Sequence, residues 1–594
     1  MKQLAPKCIV AIALIVAAYG NSLHNSFHFD DSHVIPTNLY IRSLSNIPRF
    51  FTDAHTFSSL PQNSTYRPLV TLSLALDYAR GQLDPEPYHV TQIAMLVVTF
   101  VMLVAFFLPI AGEWPSIFAA TLFCIHTANT ETMNLICARS ELLSTIGLLG
   151  SFLLYQRSDL ARRTLLYLVP LAIGALAKAP LVVFAPLLFL YAMYIEHQPW
   201  RRAARIALPS LILGVALLVF LNKMNAPEWV GGGGPPLQYA ITQPFAWLHY
   251  FKLFFLPAGL TADTDWTTFA HWYDTRAIAG DAFVVLLCVA IHRARPVVAF
   301  GLAWFAIALI PTSSFFPLAE VVNEHRIFFA FIGLVLAAAV LIPQRYLGVV
   351  AVVVLVAHLI GTRERNLVWR SEETLWADVI QKSPNNGRAW MNYGLTRMAK
   401  GDYAEAKSDF DHAATLTKNY WVLEINQGIV DGQMGDQAAA EAHFKRALAL
   451  NADANAHFFY ARWLVKHGRA PEALPHAQAA VQLSPAYADA SDLLLRLNRI
   501  RDESYHDAWP SYASAFQSGL TAIQRGDWYV AVQANRAAAS FDPKSIDAYN
   551  NLGWSLAQLG FREEAARAYE RGLAVDPNDR RLRNNLALLG GSGG

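Results

Sequence analysis

The sequence predicts an all-α protein built from a polytopic helical membrane domain followed by a soluble α-solenoid. The chain is 54% hydrophobic and only 15% charged, whereas a soluble protein carries about 25% charged residues. Nearly all of the long apolar runs lie within residues 1–360. Past residue 386 a period of about 34 residues appears, which is the length of a helix-turn-helix repeat.

Eleven apolar runs are candidate membrane spans, several of them only about 15–17 residues long. They are 7–23, 88–110, 114–128, 141–156, 163–177, 180–196, 206–222, 277–292, 297–312, 327–342 and 346–361. Basic residues in short loops mark the cytoplasmic side, so Lys2 and Lys7 place the N-terminus there. Eleven spans also place there the loops that contain Arg157, Arg162 and Arg163, then Arg201, Arg202 and Arg205, then Arg293 and Arg295, and finally Arg345. The odd number predicts that the C-terminal domain lies outside the cytoplasm.

Segment 239–257 is apolar and aromatic, yet both of its flanks must face outside under this topology. We expect a re-entrant or interfacial helix there. A full span is the alternative, and it would invert the orientation of everything that follows.

The predicted domains are a membrane domain at 1–362, a linker helix at 363–386 and a tetratricopeptide-repeat solenoid with a capping helix at 387–590. Small residues recur where the two helices of a unit cross, and aromatic residues fill the space between units. The first unit has Gly394, Ala406 and Phe410, and the last has Gly553, Ala565 and Tyr569. Stacked repeats form a concave surface suited to an extended peptide, so this domain predicts protein binding rather than chemistry. Residues 591–594 are expected to be a tag remnant.

Composition argues against several functions. The net charge of +2 gives no basic surface for nucleic acid, so no nucleic-acid partner is expected. No phosphate-binding glycine loop is present, which argues against a nucleotide-sugar donor and an ATP-driven transporter. The four cysteines lie in or beside apolar runs and imply no disulfide framework. No metal-ligand spacing stands out, so no metal site is predicted.

The candidate functional residues are ionisable side chains near the outer ends of the spans, because charge at membrane depth is costly and usually functional. Together they suit the transfer of a phosphate-linked sugar. Arg and Lys hold the phosphate and offset charge on the leaving group, while a carboxylate takes the proton of the acceptor hydroxyl. We assign the base to Asp30 or Asp31, with Asp30 preferred, and the phosphate to Arg139, Lys178 and Arg326. The same cavity is expected to contain Arg67, His126, Glu131, Glu324 and His325. Capping, interface anchoring and internal ion pairing are the structural alternatives for these residues.

The order of these motifs resembles the transmembrane and tetratricopeptide-repeat protein O-mannosyltransferases and, more broadly, the GT-C glycosyltransferase fold. The likeness covers nearly the whole chain. The stretches that carry it are Phe29-Asp30-Asp31, Tyr66-Arg67-Pro68-Leu69, His126-Thr127 through Glu131, Ala138-Arg139-Ser140-Glu141-Leu142-Leu143, Ala177-Lys178-Ala179 and Glu324-His325-Arg326.

The resemblance implies a polyprenyl- or dolichyl-phosphate-linked monosaccharide as donor and a Ser or Thr hydroxyl of a protein as acceptor. It implies the catalytic acid in the first outer loop, at Asp30 and Asp31, and basic residues at Arg139, Lys178 and Arg326. Two departures are Ala179, where family members often have an acidic residue, and the short repeat array. Relatives differ in their need for a divalent metal, so the metal requirement stays open.

We therefore expect a membrane glycosyltransferase, embedded in lipid, that modifies protein acceptors held by the repeats on the extracytoplasmic side. One alternative is a non-enzymatic membrane scaffold that recruits secreted or envelope proteins. Another is a GT-C enzyme that modifies lipid or glycan. The expected location is a bacterial inner membrane with a periplasmic repeat domain, and the alternative is the endoplasmic reticulum membrane with luminal repeats.

Overall fold

The computed structural model describes residues 4–178, 182–229, 232–313, 317–485 and 487–591. Throughout these residues the regular structure is helical, with no strand, as the sequence predicts. The chain divides into two compact units, Met1–Ala389 and Trp390–Gly594. Residue 179 and the last three residues of the expected tag remnant lie outside the described ranges.

The first unit is a bundle of apolar helices joined by short turns. Its α-helices are α1 (Leu4–Tyr19), α2 (Asp31–Val34), α3 (Ile47–Phe50), α4 (Pro68–Gly81), α5 (Glu86–Ala111), α6 (Glu113–Ile125), α7 (Thr130–Asn134), α8 (Arg139–Arg157), α9 (Asp159–Thr164), α10 (Leu168–Ala175), α11 (Phe184–Tyr194), α12 (Trp200–Met224), α13 (Pro236–Phe255), α14 (Thr275–Arg293), α15 (Pro296–Leu309), α16 (Ile327–Leu341), α17 (Gln344–Val368) and α18 (Glu372–Lys382).

Six helical segments of the described chain are long and apolar enough to cross a membrane, and they contain α5, α8, α12, α14, α16 and α17. Shorter apolar helices, α1, α6, α11 and α15, accompany them. With the eight-residue α10, a helix stands at each of the eleven predicted runs. Helix α13 covers the segment expected to be re-entrant or interfacial, and it is not among the six. The chain is therefore an integral membrane protein.

The bundle core is aromatic in its middle and closely packed at glycines. The rings of Phe106, Phe152 and Trp304 lie 4.9 to 6.0 Å apart between centroids. Helices α15 and α16 approach so closely that a Cβ on Gly333 would lie 2.2 Å from the carbonyl oxygen of Gly301. Small residues at a crossing allow this approach of two backbones.

The second part of the chain is a run of helix pairs with the predicted repeat pattern. Its helices are α19 (Gly387–Lys400), α20 (Tyr403–Leu416), α21 (Trp421–Met434), α22 (Gln437–Leu450), α23 (Ala454–Lys466), α24 (Ala470–Leu483), α25 (Ala488–Arg501), α26 (Tyr512–Arg525), α27 (Trp528–Phe541), α28 (Ile546–Gln558), α29 (Arg562–Val575) and α30 (Arg580–Gly591).

In the first and last repeats, a glycine of one helix faces an aromatic ring of the same unit. A Cβ on Gly394 would lie 2.6 Å from the Phe410 ring, and one on Gly553 would lie 2.4 Å from the Tyr569 ring. Gly at these positions is therefore required by the crossing of the two helices, which is the reason that the sequence pattern is visible.

The irregular stretch after α25 is held by one buried cation. The Arg536 guanidinium donates to the carbonyl oxygens of Arg499, Ile500, Asp502 and Tyr505 at 2.8 to 3.1 Å. A cation is favourable at the C-terminal end of a helix, where carbonyl groups lack helical partners. Arg536 thus lets the chain leave the regular repeat pattern without leaving these carbonyls unpaired.

Candidate active site

The residues that follow α1 fasten the first loop to a distant part of the first unit. His28 is fully buried, with Nδ1 2.7 Å from Glu372 Oε1 and Nε2 2.7 Å from the Trp369 carbonyl oxygen. The next ring, Phe29, packs against Trp369 and Trp376 with centroids 6.2 and 4.9 Å away. The loop is therefore fixed immediately before the two predicted carboxylates.

Asp31 is an internal anchor. Its carboxylate accepts backbone N–H bonds from Cys137 at 2.7 Å, Ile136 at 3.1 Å and His28 at 3.3 Å. Its side chain is buried, and this burial raises the pKa of Asp31 to about 6 although the three N–H donors favour the charged form. Asp31 ties the first loop to the segment before α8, and its oxygens are not free to meet a substrate.

Asp30 has the opposite surroundings. Its side chain is 69% exposed. Partial desolvation by the surrounding protein acts to raise the pKa of Asp30, but a hydrogen bond from His33 and the charges of His33, Arg67 and His325 hold it below its usual value. Asp30 is thus an exposed carboxylate that stays charged at neutral pH.

The backbone before Asp30 is in an uncommon conformation. Phe29 has φ of +49°, in the left-handed region that costs a non-glycine residue roughly 1–2 kcal/mol. The ring contacts of Phe29 and the buried bonds of His28 and Asp31 hold this conformation. Their effect is to turn two consecutive aspartates in different directions, one into the protein and one outward.

Arg67 lies beside Asp30 and keeps free donors. It precedes Pro68 at the start of α4, and its guanidinium carbon lies 5.2 Å from the centroid of the Phe57 ring. Over the described ranges of the chain, its guanidinium has no hydrogen bond or ion pair. Its charge is felt by Asp30. An arginine stacked on one ring and otherwise unpaired retains its planar set of donors for an anion.

Two of the predicted phosphate-binding residues already have anionic or carbonyl partners. Lys178 forms an ion pair with Glu141, and its side chain is 18% exposed. Arg326 donates from Nη2 to the Glu320 carbonyl oxygen at 2.8 Å and from Nη1 to that of Val321 at 3.3 Å. The charges of Lys178 and Arg326 both act on His325. His325 in turn acts on Asp30.

The third predicted phosphate ligand, Arg139, is in the wrong surroundings for that role. Its side chain is fully buried and donates to Asp77 Oδ2 at 2.6 Å, with Ser73 Oγ at 3.2 Å and the Tyr88 carbonyl oxygen at 3.3 Å. An anion would have to displace a buried carboxylate to reach it, and breaking a buried ion pair costs about 3–5 kcal/mol. Arg139 instead fastens α8 to α4 and α5.

Glu131, His325 and Glu324 form a second polar group. Glu131 Oε1 lies 2.7 Å from His325 Nδ1, and Glu324 accepts the Thr261 backbone N–H at 2.6 Å. Among the described residues, the second oxygen of each glutamate is buried without a hydrogen-bond partner. Burial raises the pKa of Glu131 above its usual value, although the Arg365 charge opposes the shift.

His126 does not join the other predicted cavity residues. Its ring is buried, with Nε2 3.0 Å from the Phe254 carbonyl oxygen, and it stacks on the Phe254 ring. The His358 ring lies 4.3 Å away between centroids. These contacts join α17 to the turn after α6, and they make His126 a core residue.

Sequence reasoning missed two residues of this region. His33 contacts Asp30, and its signal is its position one helical turn after Asp30. Asp77 pairs with Arg139, and an acid within an apolar helix is itself a signal. Across the described ranges, no group of three or more His, Cys, Asp or Glu side chains is arranged to hold a metal ion.

Comparison with known proteins identifies the repeats and a set of relatives. Tetratricopeptide-repeat models match residues 387–420, 425–488 and 546–579. Protein O-mannosyl-transferase TMTC3 of Mus musculus is 23% identical over 97% of this chain and 65% of its own length. The Homo sapiens TMTC3 is 22% identical with the same coverage. Tmtc3 of Drosophila melanogaster is 22% identical over 82% of this chain and 66% of its own length.

This chain therefore spans less than two thirds of the length of the mouse and human relatives. Among solved structures, the repeat protein YrrB is 18% identical over 35% of this chain and 96% of its own, with a TM-score of 0.19. The repeat domain of P58(IPK) is 15% identical over 34% of this chain and 54% of its own, with a TM-score of 0.20. The resemblance that the motifs predict is confirmed by relatives that align with nearly the whole chain.

Proposed function

We propose that this chain is a membrane glycosyltransferase. Along nearly its whole length it is similar to the transmembrane and tetratricopeptide-repeat protein O-mannosyltransferases. It transfers a sugar from a polyprenyl- or dolichyl-phosphate-linked donor to Ser or Thr hydroxyls of proteins. The observation that carries the proposal is that the exposed, charged carboxylate of Asp30 feels the charge of Arg67. The Arg67 guanidinium itself has no hydrogen bond or ion pair among the described residues and packs on the Phe57 ring.

In the proposed reaction, Asp30 removes the proton of the acceptor hydroxyl as its oxygen bonds to the anomeric carbon of the sugar. The bond from that carbon to the phosphate oxygen breaks, and its electron pair leaves with the lipid phosphate. The low pKa of Asp30 keeps it charged and ready to accept a proton at neutral pH. Its fixed backbone contributes orientation, because a held base needs no further ordering.

Arg67 is the group that we assign to the donor phosphate. Its free donors can form charge-assisted bonds to phosphate oxygens and offset the charge that develops there. Lys178 and Arg326 add positive charge to the same region while bound to Glu141 and Glu320. A phosphate could bind Lys178 only by displacing the buried Glu141 carboxylate, so Lys178 contributes positive charge and not a direct bond.

The remaining parts of the proposal concern side and acceptor. The basic loops support an extracytoplasmic position for the first loop and the repeats. The repeats offer a surface of the kind that holds peptides, so we assign acceptor binding to them. We favour a bacterial inner membrane with periplasmic repeats over the endoplasmic reticulum, where the repeats would be luminal.

Asp30→Asn tests the chemistry. The amide keeps the size of the side chain but removes its charge and most of its basicity, so we expect transfer to fall on the order of 100-fold or more. The measurement is single-turnover sugar transfer by purified full-length protein with saturating lipid-linked mannose. The matched control is Asp84→Asn, an exposed aspartate in the loop before α5, which should keep the normal rate. A normal rate for Asp30→Asn would refute the assignment and favour the scaffold function.

The same assay separates Arg67 from Asp30. Arg67→Ala should weaken donor binding by about tenfold to hundredfold, the value of one or two charge-assisted bonds, while Asp30→Asn leaves donor affinity nearly unchanged. Arg67→Lys keeps the charge without the planar donors and should lie between them. Equal donor affinity in Arg67→Ala and the wild type would exclude Arg67 from the phosphate site.

A further inference from the structure

We infer that His33 is a positioning residue for Asp30, orienting its carboxylate through a hydrogen-bonded chain that ends in the loop at 58–63. This inference rests on the proposed function, because it gives Asp30 the role of base. It adds a residue that the sequence motifs do not single out.

The contacts of His33 reach in two directions. Its Nε2 lies 3.4 Å from Asp30 Oδ1, three residues earlier in the chain. Its Nδ1 lies 2.9 Å from Ser58 Oγ, and Nε2 also lies 3.1 Å from Asn63 Nδ2. The ring is 10% exposed, against 69% for Asp30. A buried imidazole thus supports an exposed carboxylate.

The ring of His33 is itself fixed. Ser58 Oγ donates to the Leu60 carbonyl oxygen at 3.0 Å and accepts the Leu60 N–H at 2.9 Å. The Ser59 N–H bonds to the His33 carbonyl oxygen at 2.9 Å. Because the one hydroxyl proton of Ser58 is used by Leu60, the Ser58 oxygen accepts from His33 Nδ1–H. That assignment leaves Nε2 as the nitrogen that faces Asp30.

This arrangement has a chemical consequence. With Nδ1–H directed at Ser58, a hydrogen bond from Nε2 to Asp30 requires the imidazolium, which carries a proton on each nitrogen, and Asn63 then presents its amide oxygen to Nε2 in place of its nitrogen. In that form Nε2–H donates to Asp30 and favours the charged carboxylate, which is the form that the proposed transfer needs. The other titratable or charged groups that influence Asp30 are Arg67 at the start of α4 and His325 in the turn before α16, and the buried Cys137 thiol, whose own ionisation Asp30 opposes. Of these groups, His33 is the one with a hydrogen bond to Asp30.

The test is a pH–rate profile of His33→Ala in full-length protein, with lipid-linked mannose as donor. Loss of the His33 bond raises the pKa of Asp30, so the acid limb of the kcat profile should move to higher pH. Because Asp30 also loses its orientation, kcat at neutral pH should fall about tenfold. His33→Gln retains a neutral N–H donor and should recover part of the rate. The control is His24→Ala, because His24 lies in the same loop and is 79% exposed.

A purely structural role for His33 predicts a different result. It would lower the yield of protein or its donor affinity and leave the acid limb in place. An unshifted limb in both His33→Ala and His33→Gln would overturn the inference even if Asp30→Asn is inactive, and normal activity of Asp30→Asn would overturn the proposed function instead. If His33→Ala does not fold, Ser58→Ala provides the test, because it removes the acceptor of His33 Nδ1–H. An unchanged kcat profile in Ser58→Ala would overturn the proposed hydrogen-bonded connection to Asp30.

Discussion

At the scale of single residues, consecutive side chains of the first loop have different surroundings. His28 and Phe29 fasten the loop to the region around α18, and Asp31 fastens it to the segment before α8. Asp30 makes no such contact and projects outward beside Arg67. The orientation of Asp30 therefore depends on its neighbours on both sides in the chain, which are held by buried contacts.

Asp31→Asn should lower the stability of the fold, whatever its effect on the reaction rate. An amide has one acceptor oxygen and turns an NH2 group toward a backbone N–H, so at least one buried donor loses its partner. We expect the free energy of unfolding to fall by about 1–3 kcal/mol. Thermal unfolding of the detergent-solubilised protein would measure it, with Asp30→Asn as a control that leaves the melting temperature unchanged. Equal melting temperatures for the two variants would contradict the anchoring role.

The residue scale also shows where sequence reasoning stops. The sequence singles out Asp30 because a carboxylate near the end of a span is costly, and its catalytic role stays a prediction. Arg139 satisfied the same criterion, yet its partner Asp77 lies 62 residues earlier, and nothing in the order of residues joins them. His33 and Ser58 are ordinary polar loop residues until the fold brings them together.

At the scale of elements, apolar runs and the repeat period were enough to predict the apolar helices of the membrane domain and the repeat helices, because both depend on local composition, whereas α2, α3, α4 and α7 lie outside every predicted run. The exception is the run at 163–177, which divides into α9 and α10 with Leu165 in a left-handed conformation between them. Close packing was less visible. The crossing of α15 and α16 depends on two glycines, Gly301 and Gly333, that no sequence period marks.

Gly333→Leu should separate α15 from α16. A side chain at this position would meet the Gly301 carbonyl and the Trp304 side chain, and overpacking a tight core costs about 1–3 kcal/mol or more. The control is Gly348→Leu in α17, where a Cβ meets nothing within 4 Å. Size-exclusion profiles and melting temperatures of the two purified variants would test this expectation. A Gly333→Leu protein as stable as Gly348→Leu would show that the crossing tolerates a larger spacing.

At the scale of the whole molecule, chemistry and acceptor binding are assigned to different units. Each residue of the candidate active site lies within the first unit. Arg388, near the end of that unit, donates to Asp263 at 2.9 Å. A protein truncated after Ala389 would therefore retain this contact.

Removal of residues 390–591 should therefore abolish glycosylation of protein acceptors and leave binding of the lipid-linked donor in the first unit. The physical reason is that peptide binding needs the repeat surface, whereas Asp30 and Arg67 need only first-unit contacts. Donor binding and protein glycosylation would be measured on the truncated and full-length proteins. A folded truncated protein that loses donor binding, or one that glycosylates protein at the normal rate, would contradict this division.

The His28 contact also determines when the first loop can reach its final conformation during biosynthesis. The ribosome makes the loop with Asp30 early, but Glu372 is added 344 residues later. At about 5–20 residues per second, this interval lasts tens of seconds. Until the last apolar helix has been made, the contacts of His28 and Phe29 are absent, and only the bonds from Ile136 and Cys137 to Asp31 hold the loop. The order of synthesis thus delays the final conformation of this loop by tens of seconds after its own residues are made.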